Sequence, residues 1–136
     1  MTFPRRREAL GAAMSFAALT IAGCGGGDRL APTPADAVRA GAAMYLRALE
    51  DGRWDGACAR MTGAARREIA DAAGASCPRA LAGGAALPRD QVATARREVP
   101  GADVRIDGAT ASIGPLGGLP APLRLQRVGG RWLISG

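Results

Sequence analysis

The sequence predicts an α+β domain, with helices first and an antiparallel sheet built from hairpins after them. Three observations carry this. From Thr33 onward apolar residues recur at helical spacing, after Gly83-Gly84 the pattern changes to alternation, and two short glycine turns divide the C-terminal part into paired strands. The expected arrangement packs N-terminal helices on a curved antiparallel sheet over residues 33–136. The residues ahead of Thr33 follow neither period and are read separately.

Residues 1–23 have the layout of a secretory signal: Arg5-Arg6-Arg7, then an apolar run from Leu10 broken only by Ser15 and Thr20, then small residues. Spanning a bilayer takes about 20 apolar residues, so this run is short for a transmembrane helix. Ile21-Ala22-Gly23-Cys24 resembles a bacterial lipobox, which would make Cys24 the lipidated first residue of the mature chain. Arg6-Arg7-Glu8-Ala9-Leu10 also resembles a twin-arginine export motif, so both export routes stay open. Residues 24–32, with Gly25-Gly26-Gly27 and Pro32, have no period and no face to bury, and read as a flexible tether. The expected location is therefore the extracytoplasmic face of the cell membrane, with the bilayer itself as one partner through Cys24.

Removing residues 1–23 leaves 113 residues with a charge of +4, fifteen basic against eleven acidic. That is enough chain for one modest core. All 18 basic residues of the full chain are arginine, and they are dispersed. With aromatics at 4%, no arginine–aromatic stripe offers a stacking platform for nucleic acid. The charge favours attraction to anionic headgroups or acidic wall polymers instead. Histidine is absent, which removes Ser-His-Asp and Cys-His machinery and any imidazole ligand. Two cysteines beyond Cys24 cannot close a zinc site alone, so neither a metal nor a cofactor is expected.

The first helix should begin at Thr33-Pro34-Ala35-Asp36, with Thr33 capping, Pro34 in the first helical position and Asp36 at the positive helix end. Val38, Ala42, Tyr45, Leu46 and Leu49 form its apolar stripe, and Gly52 should end it. A short second helix is expected from Trp54 or Asp55 to Met61, and a third over 63–73, capped by Thr62 and ended by Gly74. Ser76-Cys77-Pro78 opens a further turn. In an oxidising compartment Cys58 and Cys77 are most simply a disulfide.

Residues 91–99 read as an edge strand without a clean apolar face, with Arg96 and Arg97 on opposite sides. Val104-Arg105-Ile106 and residues 109–113 alternate about Asp107-Gly108, with Ile106 expected opposite Ala109 and Val104 opposite Ala111. Residues 114–122 are a Gly/Pro loop. A second hairpin around Gly129-Gly130 places Leu123, Leu125, Arg127, Trp132 and Ile134 on one face, with Arg127 directly across from Trp132.

This order, with residues 37–61 and Val128-Gly129-Gly130-Arg131-Trp132-Leu133-Ile134 as its carrying stretches, resembles the nuclear-transport-factor-2-like superfamily and its small bacterial lipoproteins. The resemblance implies a cystatin-like cone, a bent sheet wrapped round the first helix and often enclosing a pocket. Candidate pocket-lining residues are Tyr45, Trp54, Arg127 and Trp132. Enzymes of that superfamily place acids, tyrosines or histidines inside the cone. Here the inward strand positions are Val, Ile, Ala and Leu, with no carboxylate placed to act as a base, and no catalytic residue is assigned. The expectation is a non-enzymatic binding or protein-interaction module whose partner is an envelope protein or a small apolar ligand. A small isomerase or dehydratase using Tyr45, and a structural or regulatory part of an envelope complex, are the alternatives.

Overall fold

The computed structural model describes residues 31–136. The expected signal segment, Cys24 and most of the tether lie outside the described residues. Those described form a mixed α+β domain of five α-helices and an open four-stranded antiparallel sheet. The helices are α1 (Pro34–Glu50), α2 (Trp54–Ala59), α3 (Gly63–Ala73), α4 (Cys77–Ala80) and α5 (Arg89–Glu98). The strands are β1 (Val104–Asp107), β2 (Thr110–Ile113), β3 (Leu123–Val128) and β4 (Arg131–Ile134), in the spatial order β1-β2-β3-β4.

α1 starts with a reciprocal cap. The Thr33 side-chain oxygen accepts the Asp36 N–H at 3.1 Å, and the Asp36 carboxylate accepts the Thr33 N–H at 2.9 Å. A cap of this kind stabilises a helix by about 1 kcal/mol. Val38, Ala42, Leu46 and Leu49 face the core, the first three with no exposed surface. Large residues buried so fully each contribute about 1.5–3 kcal/mol. Helix and sheet meet closely at Gly41, where a Cβ would stand 2.9 Å from the Trp132 carbonyl oxygen. Only glycine lets the two backbones approach this far.

The inner face of the sheet presents Ile113, Ala111, Leu125, Trp132 and Ile134 to α1, and these residues share one apolar core with Val92, Ala95 and Val99. Met61 adds a parallel bridge to Ile134 beyond β4. The Ile134 N–H donates to the Arg60 carbonyl and the Thr62 N–H to the Ile134 carbonyl, both at 2.8 Å. This pairing ends α2 at Ala59, two residues earlier than the apolar pattern indicates. Thr62 then caps α3, accepting the Ala65 N–H, and Gly74 terminates it in the left-handed region at φ 61°. The Cys58 and Cys77 sulfurs lie at disulfide distance, 2.01 Å, joining α2 to α4.

Residues 91–99 are not a strand. Residues 91–98 form most of α5, whose buried residues Val92 and Ala95 line up with Val99 directly after the helix, spaced three and four residues apart. Gln, Ala, Arg and Glu are all good helix formers, and Asp90 and Arg96-Arg97 match the helix dipole at its two ends. Val92 is the one large apolar residue among these ten, so the amphipathic signal is weak and the stretch reads in sequence as an edge strand. Arg96 and Arg97 accordingly stand on a helix and not on opposite faces of a strand. Arg96 reaches across to Glu50 of α1 in an ion pair.

The first hairpin turns at Gly108-Ala109, not Asp107-Gly108. Ile106 therefore pairs with Ala111 and Val104 with Ile113, a register two residues from the expected one. The shift is even, so every side chain keeps its expected face. Gly108 takes φ 58°, the conformation that fixes the turn one residue later. The second hairpin has the expected register, with Arg127 opposite Trp132. The 114–122 loop folds back on α5. Leu116 is buried, the Gly117 N–H donates to the Glu98 carboxylate, and a Cβ at Gly118 would stand 2.8 Å from the Gln91 carbonyl oxygen.

Candidate functional site

The four residues expected to line one pocket occupy three places. Tyr45 lies on α1, half-buried against the core, where burial alone pushes its phenol pKa up. Its hydroxyl makes no hydrogen bond among the described residues, and no carboxylate contributes to its ionisation. Trp132 is buried on β4 beneath Gly41. Arg127, exposed on β3, covers its indole with the guanidinium carbon 5.7 Å from the ring centroid. An exposed pair of this sort contributes about 0.5–1 kcal/mol. The arginine thus lies over the tryptophan and does not point into a cavity.

Trp54 is placed differently. It opens α2 directly after the turn that ends α1, and its half-buried indole lines a groove of about 340 Å³. Leu49 of α1, Leu81 at the end of α4, and Ala86 and Leu87 before α5 supply the other apolar walls. Glu50, Asp51 and Arg89 stand at the rim. The wide turn over Leu81–Ala85, with Gly84 at φ 111°, forms the outer lip. Glu50 keeps its charge firmly: the hydrogen bond from Arg96 holds its carboxyl below the usual range, and the same contact raises Arg96. The arrangement is an apolar slot with fixed charges along one side.

On the other side of the α1–α2 pair is a second groove, of about 440 Å³. Met44, Arg47 and Ala48 of α1 form one wall at helical spacing, and Arg53, Gly56 and Arg60 from the α2 segment form the other. Asp51 pairs with Arg53 at 3.3 Å and with Arg47 at 3.9 Å through one oxygen, while Arg60 has no ion-pair partner among the described residues. Sequence reading missed this groove. The seven-residue spacing of Arg53 and Arg60, with Gly56 between them, was the available signal, but it became legible only once the α1–α2 turn was known.

A third depression lies on the outer face of the sheet, where Arg105, Ser112, Arg124 and Ser135 form one cross-strand row. Asp107 stands on the same face two positions from Arg105, so the local charge is mixed. Among the described residues no group of three His, Cys, Asp or Glu side chains could hold a metal ion. Among them, too, no helix is long and apolar enough to cross a membrane. Compared with protein-family models, with curated proteins and with solved structures, the chain matches none.

Proposed function

We propose that this chain is an extracytoplasmic interaction module, tethered to the membrane by a lipidated Cys24, that takes a short apolar stretch of an envelope protein in the Trp54 groove. The observation that carries this reading is the groove itself: an accessible indole beside Leu49, Leu81 and Leu87, bounded by Glu50, Asp51 and Arg89. Half-buried tryptophans in apolar slots are the side chains on which binding energy concentrates, and rim charges orient what they bind.

An apolar ligand held inside a cone is less well supported, because α1 packs against all four strands and its side chains share one core with the inner face of the sheet. In favour of the nuclear-transport-factor-2-like resemblance are the helices-then-sheet order and the packing of α1 against all four strands. The isomerase reading draws no support from the surroundings of Tyr45, whose ionisation responds to burial and to no acidic partner.

The test is crosslinking and pull-down of the anchored protein from its native envelope, with wild type, Trp54→Ala and Arg127→Ala compared. A captured envelope protein that disappears with Trp54→Ala and persists with Arg127→Ala is the expected result. Capture indifferent to Trp54 contradicts the reading. Replacing Cys24 by Ser should release the protein from membranes, and unchanged attachment would remove the anchor.

A further inference from the structure

We infer that the arginine groove between α1 and α2 is the surface by which the domain lies on the membrane, with Arg47, Arg53 and Arg60 on lipid phosphates and Met44 in the interfacial layer. The inference rests on anchoring at Cys24 and adds an orientation to it.

The groove is built for an anion with an apolar neighbour. Three guanidinium groups meet one carboxylate, Asp51, so the groove carries an excess of positive charge. Arg60 has no ion-pair partner among the described residues. Met44 is 47% exposed at the same place, one of few large apolar side chains left open. Arginine forks match phosphate geometry, and an adjacent flexible apolar side chain suits the boundary between headgroup and acyl chain. Gly56 keeps the floor low between the arginine stems.

Reach agrees with charge. The nine residues between Cys24 and Pro34 span at most about 30 Å when extended. Met44 stands ten residues into the helix, about 15 Å along its axis. A groove at that position can touch the bilayer to which Cys24 would be fixed. An anionic headgroup is the occupant favoured over a soluble phosphate, because the exposed Met44 has a use at a lipid surface and none in a solvated anion site.

The experiment is co-sedimentation of the full chain, carrying Cys24→Ser so that no acyl chain contributes, with vesicles of phosphatidylcholine alone and of phosphatidylcholine with phosphatidylglycerol. The signal segment is the same in every variant, so differences between variants report the groove. Wild type should prefer the anionic vesicles. Arg60→Gln should weaken that binding by about fivefold, the share of one arginine at a charged surface. Arg60→Lys should retain most of it, and Arg66→Gln, an equal loss of charge on α3, should leave it unchanged.

Equal losses for Arg60→Gln and Arg66→Gln would reduce the effect to net charge and overturn the inference, as would no loss for Arg60→Gln. Binding of inorganic phosphate that depends on Arg60 without any vesicle preference would assign the groove to a soluble anion instead. None of these outcomes depends on lipidation, which the Cys24→Ser fractionation tests separately.

Discussion

The two grooves flanking the α1–α2 pair share the turn between those helices, one of them completed by residues 81–89, and they differ in almost every property. One sets Trp54, Leu49, Leu81 and Leu87 together under a rim whose acid, Glu50, is already satisfied by Arg96. The other sets Arg47, Arg53 and Arg60 over Ala48 and Gly56, with one carboxylate shared between two of them. Asp51, at the turn, belongs to both. A tight turn of Asp51-Gly52-Arg53 sends apolar positions to one side and arginines to the other. Two faces of opposite chemistry then stand on either side of one turn, and the proposed roles assign a protein partner to one and a membrane surface to the other.

The largest expected effect on this pairing comes from the Cys58–Cys77 link. It joins α2 to α4, and α4 leads directly into Leu81 of the Trp54 groove, whereas α1 and α2 remain connected by their own turn. Replacing both cysteines by Ala should lower stability by about 3 kcal/mol in the chain-entropy account. Below the unfolding transition the Trp54 fluorescence, read in a Trp132→Phe background because the chain has two tryptophans, should report a looser groove while the Arg60-dependent vesicle preference persists. Chemical denaturation and fluorescence check this. Equal loss of both grooves would show that they are not independent.

Acid should have a smaller effect. Asp36 is held below its ordinary range chiefly by the Thr33 N–H, and Glu50 chiefly by the Arg96 hydrogen bond. Carboxyls lowered in the folded state contribute stability that is present above their unfolded values, near about 4, and is lost as pH falls through the lower folded values. Denaturation midpoints should therefore fall on acidification below about pH 4, and Glu50→Gln should flatten part of that decline. A Glu50→Gln profile identical to wild type would separate the Arg96 contact from the stability of the groove rim.

Much of the fold was legible in the sequence because its signals are local. The Thr33 cap, Pro34, the Gly74 terminator and the Gly129-Gly130 turn each fix an element through its own backbone chemistry. α5 was not legible, since its two fully buried residues, Val92 and Ala95, acquire meaning only against α1. The first hairpin shows the intermediate case: face assignment survived an even register shift that one glycine decides.

The candidate site divides in the same way. Trp54 could be marked as a candidate pocket-lining residue, and the Cys58–Cys77 pair, found at disulfide distance, could be read from the parity of the cysteines beyond Cys24. The Glu50–Arg96 pair, 46 residues apart in sequence, and the convergence of Arg47, Arg53 and Arg60 depend on how helices pack, which no local pattern encodes.

The central claim, one face for a protein and one for the bilayer, is tested most directly by a photoreactive phenylalanine analogue placed in turn at Trp54 and at Met44 in the anchored protein. Irradiated in native membranes, the Trp54 position should yield a protein adduct and the Met44 position a lipid adduct. Lipid adducts at Trp54 with protein adducts at Met44, or the same product from both, would contradict it.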